Sequence, residues 1–482
     1  MVGVAAVALG LAQGQGADGR WPQFRGPGGS GVGATDFPTH FGSNSNVLWR
    51  SAVAPGHSSP CLWDGKIFLT GFADGKLETL CLSQRDGRLL WSRRVEPGKI
   101  ERGAQLSNPA TATPATDGVR LVVYFGAFGL LAYDLEGGEL WRKPLPVPVT
   151  QHGAGTSPVL AGDRVILNCD QDVGSYLLAV NKHDGRTVWK TERPAFHRGF
   201  ATPLPWPMEK PEQIIVPGTL RLVAYSLKEG IERWSVRGLP NEMVASPVGG
   251  DGLIYVTGWT SGSGVSRMPT FDKLLEEGDL NHDGKLTREE APGGPAKQHF
   301  VYIDADKDGL VTREEYVTVA RIFDESKNVA LCVRPDGRGD VTDTHVVWKA
   351  TRGLPYVPSP LYYEGRLYLV KNGGLASCYE AKTGRVHYQE ERLGALGDYY
   401  SSPVAAAGRI CVASQLGTVV VYRAGDTLEV LARNSLDEPI VATPAIIEGK
   451  LYVRTKSALY AFGADQKLGA LNTKSAQDSP NP

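Results

Sequence analysis

The sequence has almost no net charge: 51 Lys and Arg stand against 52 Asp and Glu, a formal charge of -1 with a pI near 6.8. That balance gives no reason to expect nucleic acid or an anionic membrane as a partner. Long hydrophobic runs are missing too; none approaches the roughly 20 apolar residues of a bilayer-crossing helix, so no membrane span is expected. Cysteine is sparse. Cys61, Cys81, Cys169, Cys332, Cys378 and Cys411 include no adjacent pair and no C-x-x-C, which argues against a zinc site or a thioredoxin-like redox motif. Most lie in strand-like runs and read as small core residues rather than as a disulfide framework. No G-x-S-x-G nucleophile motif is present either. Glycine (58) and proline (32) are what 482 residues do contain in quantity, and they suit a turn-dense β protein with a large core.

The stretch from Ser157 to Trp189 shows how those turns are used. Short apolar runs at Val165–Leu167 and Tyr176–Val180 are separated by turns at Gly162-Asp163, Gly174 and Asp184-Gly185, and Thr187-Val188-Trp189 closes the unit. This pattern predicts a four-stranded antiparallel meander. Its opening, Ser/Thr-Pro, recurs at prolines 60, 114, 158, 203, 247, 360, 403 and 444, with most steps in the low forties. That is the period of a propeller blade. Its closing, a turn followed by a bulky residue, recurs at Trp91, Trp141, Trp189, Trp234 and Trp348, then weakens to Tyr388 and Leu428–Leu431. The eighth unit runs out after three strands, and the missing outer strand stands at the other end, as Asn46-Val47-Leu48-Trp49. An open solenoid would not need that strand. The expected fold is therefore all-β: an eight-bladed β-propeller of four-stranded antiparallel blades, with an N-terminal strand closing the last blade and leaving no open edge.

The pattern from Gly65 to Trp91, G-x-[IV]-[FY]-[LV] leading to DG-x-L and G-R-x-x-W, resembles the PQQ-like propeller repeat. That repeat builds the quinoprotein alcohol dehydrogenases and the propeller lipoprotein of the bacterial outer-membrane β-barrel assembly machinery. The resemblance runs over about residues 46–463 and implies the fold; the same repeat serves enzymes and scaffolds alike.

Residues 1–17 are small and largely apolar, like the h-region and cleavage zone of a secretory signal, although no Lys or Arg precedes Arg20. A secreted or periplasmic location is expected, against the alternative of a floppy cytoplasmic leader. No cysteine lies there for a lipid anchor. Residues 18–45 read as an N-terminal extension that packs Trp21 and its neighbours along the ring, and 464–482 as a disordered tail.

The step between Pro247 and Pro360 exceeds its neighbours by about seventy residues, which places an insertion at 260–328, between strands two and three of blade five. DLNHDGKLTREE sets Asp279, Asn281, Asp283, the Lys285 carbonyl, Thr287 and Glu290 at loop positions 1, 3, 5, 7, 9 and 12; DADKDGLVTREE repeats this with Asp304, Asp306, Asp308, the Leu310 carbonyl, Thr312 and Glu315. Gly284 and Gly309 fall at the sixth position, where the chain must turn sharply. Six oxygens ending in a bidentate Glu suit Ca²⁺, and the pair resembles a tandem EF-hand, a small α-helical insert with two calcium sites. Pro292-Gly293-Gly294-Pro295 breaks the helix leaving the first loop, which favours structural calcium over a switch that opens a groove.

The loops leading into the innermost strands share a face with the insertion loop and carry polar groups: His152, His197 with Arg198, Glu242, Tyr356, Asp398 with Tyr399, and Glu438. Convergence on the axis is the usual place for a propeller site, although solvated loops are polar in any case. Two functions follow from these features. The first is a calcium-binding scaffold, expected to be monomeric, that takes a protein or glycan partner on the axial face. The second is a quinone-dependent dehydrogenase with PQQ and calcium, an activity the repeat family allows. The missing Cys-Cys pair of those enzymes favours the scaffold, with no catalytic residue assigned.

Overall fold

The computed structural model describes residues 19–100, 107–150, 152–261 and 268–463; the expected signal and tail lie outside them. Eight sheets form the ring. Six have four strands and two gain a fifth, and every blade is an antiparallel meander from a three-residue-scale inner strand to a longer outer one. The expected closure is present: Val47–Ala52 pairs antiparallel with Ala458–Gly463, so the first blade strand in the sequence is the outer strand of the last blade.

Two devices tie the blades together, and both are the recurring marks of the sequence. On the inside, the backbone N–H ahead of each Pro donates to the Ser or Thr hydroxyl of the next blade. Ser59, Thr113, Ser157, Thr202, Ser246, Ser359, Ser402 and Thr443 form a closed circle in this way, with every bond between 2.9 and 3.2 Å. The proline that follows has no N–H, so the inner edge offers one unpaired donor fewer to the axis. On the outside, the tryptophans of five outer strands reach across to the next blade. The indole N–H groups of Trp49, Trp91, Trp141, Trp189 and Trp348 donate to the carbonyls of Gln84, Leu135, Lys182, Leu227 and Ala381. A register shift beside the Trp in the ladder, as at Glu139/Trp141, turns the ring sideways out of the pleat. The indole lies over a turn glycine; at Gly185 (φ +71°) a Cβ would sit 2.6 Å from Trp141.

Blade four departs from the rule. Trp234 donates to Gln213 Oε1, and Gln213 Nε2 passes the bond on to the Pro335 carbonyl of blade five. Gly339–Asp340, from the last loop of blade five, also pairs in parallel with the outer strand of blade four and covers its edge.

The N-terminal extension does not run along the ring as expected; it crosses the base. Arg20–Trp21 pairs with the inner strand of blade one, Pro22 accepts from Thr116 in blade two, Arg25 donates to Pro360 in blade six, Val32 bridges to Ala405 in blade seven, and Thr35 accepts from Gly449 in blade eight. Phe24 ends up on the axis. Arg25 is fully buried, and burial pushes its guanidinium down to about 9, so it is a cation at neutral pH with carbonyl partners.

The insertion leaves and rejoins blade five between Leu253–Gly258 and Val329–Val333, its second and third strands. It contains helices α1 (Phe271–Gly278), α2 (Pro295–Gln298), α3 (Phe300–Ile303) and α4 (Arg313–Glu325), and a small core of its own that includes Phe271, Phe300, Tyr302 and Tyr316. Thr260 and Asn328 exchange two hydrogen bonds across its neck, while Asn241 accepts from both Thr260 and Ser326. The neck is thereby fastened to the loop leading into blade five.

Candidate functional site

The two acidic loops take the wrapped shape their sequences call for. The fourth and sixth positions are left-handed in both: His282 (φ 60°) and Gly284 (φ 77°), then Lys307 (φ 64°) and Gly309 (φ 87°). The eighth positions, Leu286 and Val311, pair as a two-stranded ribbon that joins the loops back to back. In loop one, Asp279 accepts from the amides of Asp283 and Gly284, Asn281 accepts from Asp283, Asp283 from the Lys285 amide, and Glu290 from Thr287. In loop two, Asp304 accepts from Gly309, Asp306 from Asp308, Asp308 from Leu310, and Glu315 from Thr312 and Ala305. Thr312 and Glu315 also form a capping box, so the twelfth-position carboxylate is fixed by the start of α4.

Among the described residues, Asp304, Asp306 and Glu315 are the acidic trio whose ligand oxygens lie within 4.8 Å of one another. Asp304 Oδ1 is buried without a protein partner. Its carboxyl is held above the usual carboxylate range, first by burial and then by repulsion from Glu315 and Asp308. A buried carboxylate oxygen with no donor, beside further carboxylates, is the arrangement a hard cation relieves. The donor set therefore fits calcium.

The second candidate lies on the axis. The inner strands enclose a cavity of about 430 Å³. Phe24 of the extension floors it, the hydroxyl circle lines its wall, and His57, His152, Phe200, Glu242, Tyr356 and Tyr400 surround the mouth. Tyr356 donates to Glu242 Oε1 at 2.7 Å, and His152 Nε2 lies 4.0 Å from the same oxygen. The Tyr356 phenol is raised by burial and by Glu242, so it remains a donor. Burial and the nearby Arg454 cation push His57 down to about 4, which leaves it neutral at physiological pH.

The expected axial residues divide into three groups. His152, Glu242 and Tyr356 meet at the mouth. His197 and Arg198 stand one layer out, against Asp172: Arg198 Nε reaches Asp172 Oδ1 at 2.8 Å, and His197 Nδ1 lies 2.9 Å from the Asp172 carbonyl. The remaining three do not converge. Tyr399 is fully buried between blades six and seven, donating to the Ala395 carbonyl, and its neighbour Tyr400 faces the cavity instead. A strand-like alternation explains the exchange, because successive side chains point to opposite sides. Asp398 is exposed, and Glu438 bonds Thr455, Ser457 and Arg50 on blade eight. Phe24 and Phe200 gave no sequence signal, since a phenylalanine reads as core wherever it stands.

The fold and the two loops define the class: an eight-bladed β-propeller of PQQ-like repeats with a tandem EF-hand inserted in blade five. A family model described as outer membrane protein assembly factor BamB matches residues 41–148 and 76–258, and an EF-hand model matches 271–290 and 298–320. No curated protein gives a significant sequence match. Among solved structures the chain is similar to BamB from Moraxella catarrhalis (14% identity, TM-score 0.53, covering 86% of this chain and 98% of that one). It is also similar to a europium-containing methanol dehydrogenase (12%, 0.57, 92% and 98%) and to quinohemoprotein alcohol dehydrogenase from Comamonas testosteroni (11%, 0.53, 92% and 80%). At these identities the likeness shows the fold. Among the described residues, no helix is long and apolar enough to cross a membrane.

Proposed function

We propose that the chain is a secreted or periplasmic calcium-binding propeller that acts as a scaffold, taking a protein or glycan partner at the mouth of the axial cavity. One observation carries this reading: the cavity offers hydroxyls, aromatic faces, two imidazoles and one carboxylate, and among the described residues no Lys or Arg lines it. Such a lining suits neutral hydroxyl-bearing or amide-bearing groups, whose edges need donors and acceptors and whose faces need aromatic contact. The quinone cofactor of the dehydrogenases is a tricarboxylate, and a wall without cations does not fit three negative charges. Arg454 is fully buried, bonds Ala54 and Ser58, and is not among the residues that line the cavity. The likeness to an outer membrane protein assembly factor favours a partner that is a protein presented by its backbone or loops.

Calcium belongs to the insert. In loop two Asp304, Asp306, Asp308, the Leu310 carbonyl, Thr312 and Glu315 would hold it, and in loop one Asp279, Asn281, Asp283, the Lys285 carbonyl, Thr287 and Glu290. Loop two offers four carboxylates against three and is the tighter of two sites. The test adds PQQ and calcium to the purified protein and follows its absorbance and dye-linked alcohol oxidation. No cofactor spectrum and no turnover is the expected result; quinone binding with turnover would replace the scaffold reading with the dehydrogenase.

A further inference from the structure

Beyond the neck, an aromatic side chain of the insert packs against the ring. Tyr302 is buried and packs edge-on against His197, with ring centroids 4.8 Å apart, and the Arg198 guanidinium lies 4.7 Å above its ring. Arg198 is itself buried and locked to Asp172 of blade three. The residues that follow it form the wall of the axial cavity. Gly199 bridges to Met243; Phe200 donates to the Met243 carbonyl at 2.8 Å, and Met243 to the Arg198 carbonyl at 3.3 Å. Phe200 then meets His152 at 5.8 Å, next to Glu242. At its other end Tyr302 belongs to α3, a single turn that stops at Asp304, whose amide bonds the Phe300 carbonyl. Asp304 is the first ligand of loop two. Two residues therefore separate the cation from the side chain that props the cavity wall.

We infer that calcium in loop two sets the shape of the axial mouth through Tyr302, by ordering α3 and pressing its ring against His197 and Arg198. This rests on the calcium reading of the loop given above. A four-residue helix has too few internal bonds to hold itself, so its direction depends on what fixes its end. Without the ion, the clustered carboxylates of Asp304, Asp306 and Glu315 repel, and the turn that carries Tyr302 loosens. The Arg198–Asp172 pair then loses the ring covering it, and the segment Gly199–Phe200 loses its backing. With the ion, mouth and loop are ordered together: the partner and calcium each strengthen the binding of the other, because each removes disorder that the other would otherwise have to remove.

The methionines allow a direct test. The chain has four, and three occupy informative places: Met268 against the core of the insert, Met243 behind Phe200, and Met208 over Gly28 at the base. In full-length protein labelled at the methionine methyls, a calcium titration should move Met268 and Met243 with one midpoint and leave Met208 still. Glu315→Gln should abolish both responses. Tyr302→Leu should keep the Met268 response and lose that of Met243, whereas Tyr302→Phe, which retains the ring, should keep both. A Met243 signal indifferent to calcium while Met268 responds overturns the coupling and leaves the calcium site standing. Silence of both methyls overturns the calcium reading and the coupling with it.

Discussion

Replacing Ser157 with alanine removes one link from the hydroxyl circle and leaves the Thr113 amide, now bonded to Ser157 Oγ at 2.9 Å, without its acceptor. A buried amide left unpaired costs roughly 1–3 kcal/mol. The hydroxyl lines the axial cavity, which has room for water, so solvent can reach the orphaned N–H and the cost falls at the lower end, about 1–1.5 kcal/mol. The volume lost is one oxygen, too small for a cavity penalty to dominate. Ser157→Thr should be nearly neutral, because threonine already fills the same position at 113, 202 and 443. Alanine at Ser59, which accepts from Thr443 where the chain ends meet, should cost about as much, since the local bond at 3.0 Å is the same. Urea unfolding followed by tryptophan fluorescence reads the difference; if refolding is incomplete, unfolding rates replace equilibrium midpoints. An alanine variant within about 0.5 kcal/mol of the parent, the range of an ordinary surface change, would show that the circle is geometry without energy. A threonine variant as costly as alanine would refute the assignment of the hydroxyl.

Truncation through Ala52 uncovers the edge of Ala458–Gly463 and should produce aggregation or a clearly lower melting temperature; a deletion mutant as soluble and stable as the parent would contradict the closure. Calorimetry should find two calcium sites with dissociation constants on the order of 10⁻⁵ to 10⁻³ M, the tighter lost in Glu315→Gln, and no heat at millimolar calcium would refute both. His57 is held neutral in the fold, so the unfolded chain takes up its proton first as pH falls. Stability should therefore drop from about pH 6.5 toward pH 4, by up to about 3 kcal/mol for this group, and His197 is shifted in the same direction. His57→Gln should flatten that slope; an unchanged pH profile of the melting temperature would show that His57 is not the group responsible.

The ring was legible because its fastenings are chemical and repeat. Ser/Thr-Pro and the turn before Trp each mark one bond per blade, and an outer strand placed before the first blade has no other use. Both EF-hand loops were legible for the same reason, since the spacing of an EF-hand's oxygen-bearing positions is fixed. The axial site was legible only in part. His152, Glu242 and Tyr356 lie on loops whose length, not spacing, decides where they point, and one residue of phase exchanged Tyr399 for Tyr400. The extension left no periodic trace: Trp21 and Phe24 occur once, and their places are set by the base of a ring that forms far away in the sequence. Tyr302 was invisible for another reason, because within the insert it looks like any other aromatic before a loop.

The position of that extension has a consequence for how the molecule is made. A chain delivered N-terminus first, from a ribosome or across a membrane, presents its base segment and closing strand before any blade exists. Arg50 must wait for Tyr460, 410 residues later, before their side chains can bond. At about 5–20 residues per second that is a delay of roughly 20–80 s. For all that time Phe41 waits for Phe462 and Val47–Ala52 for Ala458–Gly463, while blades one to seven can form behind them. The last strands to arrive do not add a final blade to a finished stack; they recover the oldest part of the chain, and only then does the floor under the axis exist.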